Sequence, residues 1–98
     1  MHYLNISFSH KNSSIEIREK LSYPSDNDMH ACLKKLSESE FINEAMLIST
    51  CNRMEVFSSC NDVKEATKYI LSVLSKRAGL SVEELTEHAD IFDDSSAI

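Results

Sequence analysis

This 98-residue chain holds one glycine and one proline. A single glycine cannot build a Gly-x-Gly-x-x-Gly turn, so a dinucleotide fingerprint made by this chain is excluded. The three cysteines, Cys32, Cys51 and Cys60, are an odd number with no Cys-x-x-Cys pair. That excludes a disulfide framework and a zinc site, so no metal is expected. Reduced thiols of a cytosolic protein fit instead. No apolar run approaches the ~20 residues of a membrane span. The opening MHYLNISFSH lacks the charged and long apolar segments of a signal peptide. A cytoplasmic protein is therefore expected. Basic residues are also scarce, 10 against 16 acidic, for a net charge of −6. That argues against a free-standing nucleic-acid binder, while leaving room for a domain that handles only the end of a nucleic acid.

What is present suffices for one small domain. Hydrophobic residues make up 42% of the chain, enough for one core, although a domain this size buries only roughly 60–65% of its unfolded surface. Residues 3–9 alternate, with Leu4, Ile6 and Phe8 on one side, and predict a half-buried strand. Ser13 and Glu16 have the spacing of a capping box opening a short helix to Leu21. Ser25 caps a second helix with Met29, Cys32, Leu33 and Leu36 on one stripe. Ala45 to Ile48 is continuously apolar and predicts a strand covered on both faces. Met54 to Cys60 predicts another strand, and the short link between them a hairpin in which Asn52 tolerates left-handed conformations. Residues 62–78 predict the longest helix, closed by Gly79. Ser81 and Glu84 open a short helix, residues 88–92 a last strand, and a further helix is expected to begin at Ser95. The order β, α in two pieces, β, β, α, β predicts an α+β, ferredoxin-like βαββαβ sandwich, mostly antiparallel, with helices on one face.

The chemistry concentrates in LISTCNRMEVF, residues 47–57. A thiol in a tight turn beside Arg53 reads either as a small apolar filler or as a nucleophile whose pKa a neighbouring cation lowers. Thr50 and Asn52 add donors for a carbonyl or carboxylate, and Arg53 carries the planar fork that matches a carboxylate. Cys32, on a helix stripe, and Cys60, ending a strand, read as structural. His2, His30 and His88 show no ligand spacing and read as surface. Lys34-Lys35 and Lys76-Arg77 read as solvated helix faces, with contact to a nucleic acid the alternative for Lys76-Arg77. His10 reads as a turn histidine or as an orienter of substrate. Taking the first and third strands as parallel would put His10 at the opposite edge of the sheet from Cys51.

Three stretches together resemble the N-terminal catalytic domain of glutamyl-tRNA reductase. SFSHKNSSIEIREKL is similar to the family's opening strand, His-Lys turn and helix. LISTCNRMEVF matches its Ser-Thr-Cys-Asn-Arg word, and AGLSVEELTEHADIFDDSSAI is similar to the stretch ahead of its next block. The likeness runs from Tyr3 to Ile98. It implies NADPH-dependent reduction of glutamyl-tRNA(Glu) to glutamate-1-semialdehyde through a cysteine thioester, the first step of tetrapyrrole (porphyrin) biosynthesis. Cys51 matches the nucleophile. Thr50, Asn52 and Arg53 match its substrate-binding neighbours, with Arg53 on the glutamate carboxylate. The resemblance further implies a homodimer and hand-over to the aminomutase that follows.

Residues 1–98 would then be the catalytic domain alone, cut before an NADPH-binding Rossmann domain, a helical dimerisation domain and a histidine important for activity. The fragment is expected to fold and to be inactive as a reductase. The opening turn departs from the family's Asn-His-Lys-Thr-Ala-Pro at Ser9, Asn12, Ser13 and Ser14, keeping His10 and Lys11. A competing expectation is a non-catalytic α+β module for RNA or protein contact. An RNA-binding sheet needs aromatics gathered on its open face and a basic surface, whereas the seven aromatics here are spread along an acidic chain. A thiol redox protein is disfavoured because Cys51 has no resolving cysteine nearby.

Overall fold

Alternation in the first strand carries directly into burial. In β1 (His2–Ser9), Leu4, Ile6 and Phe8 are at most 2% exposed, whereas Tyr3 on the other face is 65% exposed. The computed structural model describes residues 2–9, 11–23, 25–50 and 53–94. His10, Cys51, Asn52 and the helix start expected at Ser95 lie outside the described residues.

Serine and aspartate caps begin the helices where polar side chains can satisfy free backbone N–H groups. The first, α1 (Ile15–Leu21), is capped by Ser14, which accepts from Ile17 N. The cap is thus one residue later than the Ser13–Glu16 spacing suggested, because the Ser13 hydroxyl donates to the Ser9 carbonyl at 2.8 Å. Next come α2 (Asp26–Ser37), capped by Ser25, and the strands β2 (Ile42–Ser49) and β3 (Arg53–Cys60). Then α3 (Val63–Ala78) runs from an Asp62 cap to Gly79, whose φ of 70° supplies the left-handed stop. Ser81 caps α4 (Val82–Glu87), and β4 (Asp90–Asp93) follows. It starts two residues after the expected His88, because the His88 N–H instead closes α4 onto the Leu85 carbonyl at 3.0 Å.

The sheet has the order β2-β3-β1-β4, every pairing antiparallel. All the helices that bury apolar side chains do so on one face. Ile70, Leu74, Leu36, Leu21 and Leu85 meet Ile6, Phe8, Met54 and Val56 there, each 0–1% exposed, and each such side chain contributes about 1.5–3 kcal/mol. The architecture is the expected α+β sandwich. None of the described helices is long and apolar enough to cross a membrane.

Three expectations are corrected. The second strand is not covered on both faces: Leu47 is buried but Met46 is 56% exposed, as one-sided helix packing on an antiparallel sheet requires. The first and third strands run antiparallel, not parallel. The helical crossover returns β2 in the direction of β1, and the hairpin then reverses β3. Finally, the aromatics are not all dispersed. Asn5 pairs with both Phe57 and Phe92, and Phe57 with Met46, so one row across the open face reads Met46, Phe57, Asn5, Phe92.

Candidate functional site

The β2–β3 hairpin closes on itself at Thr50 and Arg53. The Thr50 N–H donates to the Arg53 carbonyl at 2.8 Å, and the Arg53 N–H to Thr50 Oγ1 at 3.2 Å. Two residues therefore complete the link, Cys51 and Asn52, both outside the described residues. The tight reversal expected from the sequence is present, although the outgoing strand begins at Arg53 rather than Met54.

The flanking residues face different surroundings. Thr50 and Ser49 line a cleft of about 390 Å³ with Ile15, Arg18, Glu19, Ser22 and Tyr23. The cleft's far wall is fixed from behind. The Tyr23 N–H donates to Ser49 Oγ at 3.4 Å, and the Arg77 guanidinium lies 4.6 Å from the Tyr23 ring centroid while donating to the Ser22 carbonyl at 2.9 Å. Arg77 stands on an exposed helix face, as the sequence predicts, and also ties the Ser22–Tyr23 segment to α3. Arg53 lies on the open face of the sheet with Glu55. Its Nε lies 3.3 Å from Glu55 Oε2, with Glu55 only 9% exposed. Thr50 and Arg53 close the hairpin as an opposed pair, the Thr50 hydroxyl bonded to the Arg53 backbone, and two guanidinium groups, of Arg18 and Arg53, flank the motif.

Arg18 and Glu55 carry no site signal in the linear sequence. Both stand inside the stretches that carry the resemblance, but linear spacing does not reveal that α1 lies beside the hairpin or that Glu55 shares a face with Arg53.

The turn after β1 also belongs to this end of the molecule. Ser9 pairs with Arg53, so the strand leading to His10 ends beside the motif instead of across the sheet. His10 itself lies outside the described residues. This turn is built from side chains in a chain poor in glycine. Asn12 Oδ1 accepts from the Ser9 N–H at 2.8 Å, and Asn12 Nδ2 donates to the Ser7 carbonyl at 3.3 Å. His88 is not simply a surface residue. Its Nδ1 lies 3.1 Å from the Asn12 carbonyl, and a carbonyl only accepts, so Nδ1 carries the proton.

The other two thiols are inert by position. Cys32 and Cys60 are 6% and 0% exposed, and burial raises the pKa of each. Both confirm the structural reading.

The sequence model of the family described as "Glutamyl-tRNAGlu reductase, N-terminal domain" matches residues 6–98. The chain belongs to that family. The glutamyl-tRNA reductase of Sulfurimonas denitrificans is 63% identical over the whole chain, that of Campylobacter curvus 47%, and that of Nitratiruptor sp. 45%. The chain spans 23% of the length of each of these reductases.

A reductase of this kind implies a dinucleotide, and the described residues do not fit one. The single glycine, Gly79, ends a helix, whereas a pyrophosphate needs a turn leading into a helix N-terminus.

Proposed function

We propose that this chain is the catalytic domain of an NADPH-dependent glutamyl-tRNA reductase and supplies its nucleophile, Cys51. The observation that supports the reading is the hairpin closed by Thr50 and Arg53 within the Ser-Thr-Cys-Asn-Arg word, with an Arg18-lined cleft at Thr50 and a Glu55 carboxylate on Arg53. A rigid strand pair ending in a short link is a sound base for an attacking group.

The thiolate of Cys51 attacks the carbonyl of the glutamyl ester. A carbon–sulfur bond forms, the bond to the terminal ribose oxygen breaks, and that oxygen takes up the proton lost by the thiol. A thioester is more readily reduced than an oxygen ester. Thr50 and Asn52 hold the substrate by hydrogen bonding, and Arg53 receives the glutamate carboxylate in a bidentate pair. NADPH, held by another part of the full-length protein, would supply hydride to the thioester carbonyl carbon, the carbon–sulfur bond breaking to return the Cys51 thiolate and give glutamate-1-semialdehyde. Homodimer formation, the cytoplasmic setting and hand-over to the following aminomutase belong to the same reading.

The test is mass spectrometry of the full-length protein incubated with glutamyl-tRNA and no NADPH. A glutamyl adduct on the peptide containing Cys51, absent in Cys51→Ser, is the expected result. An adduct only on Cys32 or Cys60, or none, refutes the assignment and favours a binding module. Residues 1–98 alone are expected to give no NADPH-dependent semialdehyde.

A further inference from the structure

The face of the sheet opposite the helices is uncovered among the described residues and apolar at its centre. Tyr3, Met46 and Phe92 are 65%, 56% and 63% exposed, and with Phe57 they line a groove of about 510 Å³. A contiguous apolar surface of this kind is rarely left to solvent by a monomeric protein. Asn5 lies in its floor between Phe57 and Phe92, and its Nδ2 is buried with no hydrogen-bond partner among the described residues. A buried donor left unpaired costs about 1–3 kcal/mol, so an occupant offering an acceptor there is favoured. The rim is acidic, formed by Glu44, Asp93 and Asp94, with Asp94 Oδ1 3.2 Å from His2 Nδ1.

We propose that a later segment of the same polypeptide covers this face in the full-length protein. Its apolar side fills the groove between Met46, Phe57 and Phe92, and its basic side chains meet Glu44, Asp93 and Asp94. Three observations select this occupant. The chain accounts for 23% of its relatives' length, and the matched domain is N-terminal, so most of the polypeptide is available to fold back. The last strand, β4, ends at the groove, with Phe92, Asp93 and Asp94 in its lining. An intramolecular segment starting there closes a short loop, at little entropic cost and high effective concentration. The acidic rim repels a phosphate backbone, which disfavours nucleic acid stacked on the aromatics. The proposal does not depend on the role given to Cys51.

The experiment uses the full-length protein in a Cys51→Ser background, with Met46→Cys, Phe92→Cys and, as an exposed control on α3, Lys64→Cys. Maleimide labelling at positions 46 and 92 is expected to be at least ~100-fold slower than at 64, because reaction there requires local opening. In parallel, a benzophenone amino acid at position 92 is photolysed in a mixture of isotopically light and heavy protein. A cross-link within one chain to a peptide beyond residue 98 supports the proposal. Heavy-to-light cross-links would identify a second copy and overturn it. A cross-link to nucleotide, formed only when glutamyl-tRNA is present, would overturn it in favour of RNA. Labelling at 46 and 92 as fast as at 64 would show an open face, also against it.

Discussion

Ser9 stands opposite Arg53 in the β1–β3 ladder. The turn after the first strand and the exit of the Ser-Thr-Cys-Asn-Arg word therefore share one end of the sheet, and whatever loosens one loosens the other. Asn12 braces that turn through bonds to the Ser9 N–H and the Ser7 carbonyl. Asn12→Ala is expected to cost about 1–2 kcal/mol in urea unfolding and to lower kcat/KM of the full-length enzyme. Asn12→Asp, which keeps the acceptor for Ser9, should recover part of both. Unchanged stability and activity in Asn12→Ala would show that the turn gives the site no support.

Arg53 and Glu55 are expected to act as a unit. Arg53→Lys keeps the charge but loses the fork, and should lower kcat/KM by about 1.5–3 kcal/mol in transition-state terms. Glu55→Gln should lower it in the same direction by releasing the guanidinium. The double variant should be little worse than Arg53→Lys alone. Strict additivity in that cycle would mean that Glu55 does not work through Arg53.

The buried thiols give a pH dependence. Burial holds Cys32 and Cys60 above their ordinary value of 9.0, and Tyr23 above 10.0. Each group keeps its proton in the folded chain at a pH where the unfolded chain releases it. Their contribution is complete below pH 9 and is lost as pH rises from there through the higher folded values. Urea midpoints should fall steadily above pH 9, and the Cys32→Ala, Cys60→Ala double variant should show a shallower fall. At neutral pH, iodoacetamide should modify Cys51 first. Faster labelling of Cys32 would contradict its burial.

Arg77 is expected to matter for stability and not for tRNA. It lies on the Tyr23 ring and donates to the Ser22 carbonyl. Arg77→Met should cost about 1–2 kcal/mol while leaving the affinity of the full-length enzyme for tRNA unchanged. A selective loss of tRNA binding without loss of stability would restore it as a contact residue.

Local signals in the sequence were reliable where one residue type meets one local need. Leu4, Ile6 and Phe8 revealed their strand by period, Ser25 and Ser81 their helices by capping, and Gly79 its helix end by the left-handed stop. The hairpin at Thr50–Arg53 was legible from the shortness of the link. Relations across the sheet were not. The adjacency of Ser9 and Arg53 depends on strand direction, which the hairpin and crossover settle together. That Arg18 joins Thr50 in one cleft depends on where α1 packs. The open face was missed because Tyr3, Phe57 and Phe92 are far apart in the chain and meet only through pairing with β1.

The strand that leaves the motif, β3, is bonded along both edges, to β1 on one side and β2 on the other. The sheet's edges, β2 and the four-residue β4, have no such double anchorage. Deuterium should therefore enter β4 through brief fraying, while amides from Met54 to Ser58 exchange only when the whole domain opens. A scaffold anchored in this way gives no early warning on heating. The outgoing side of the site should keep its geometry until the domain melts, and loss of activity should coincide with loss of the fold.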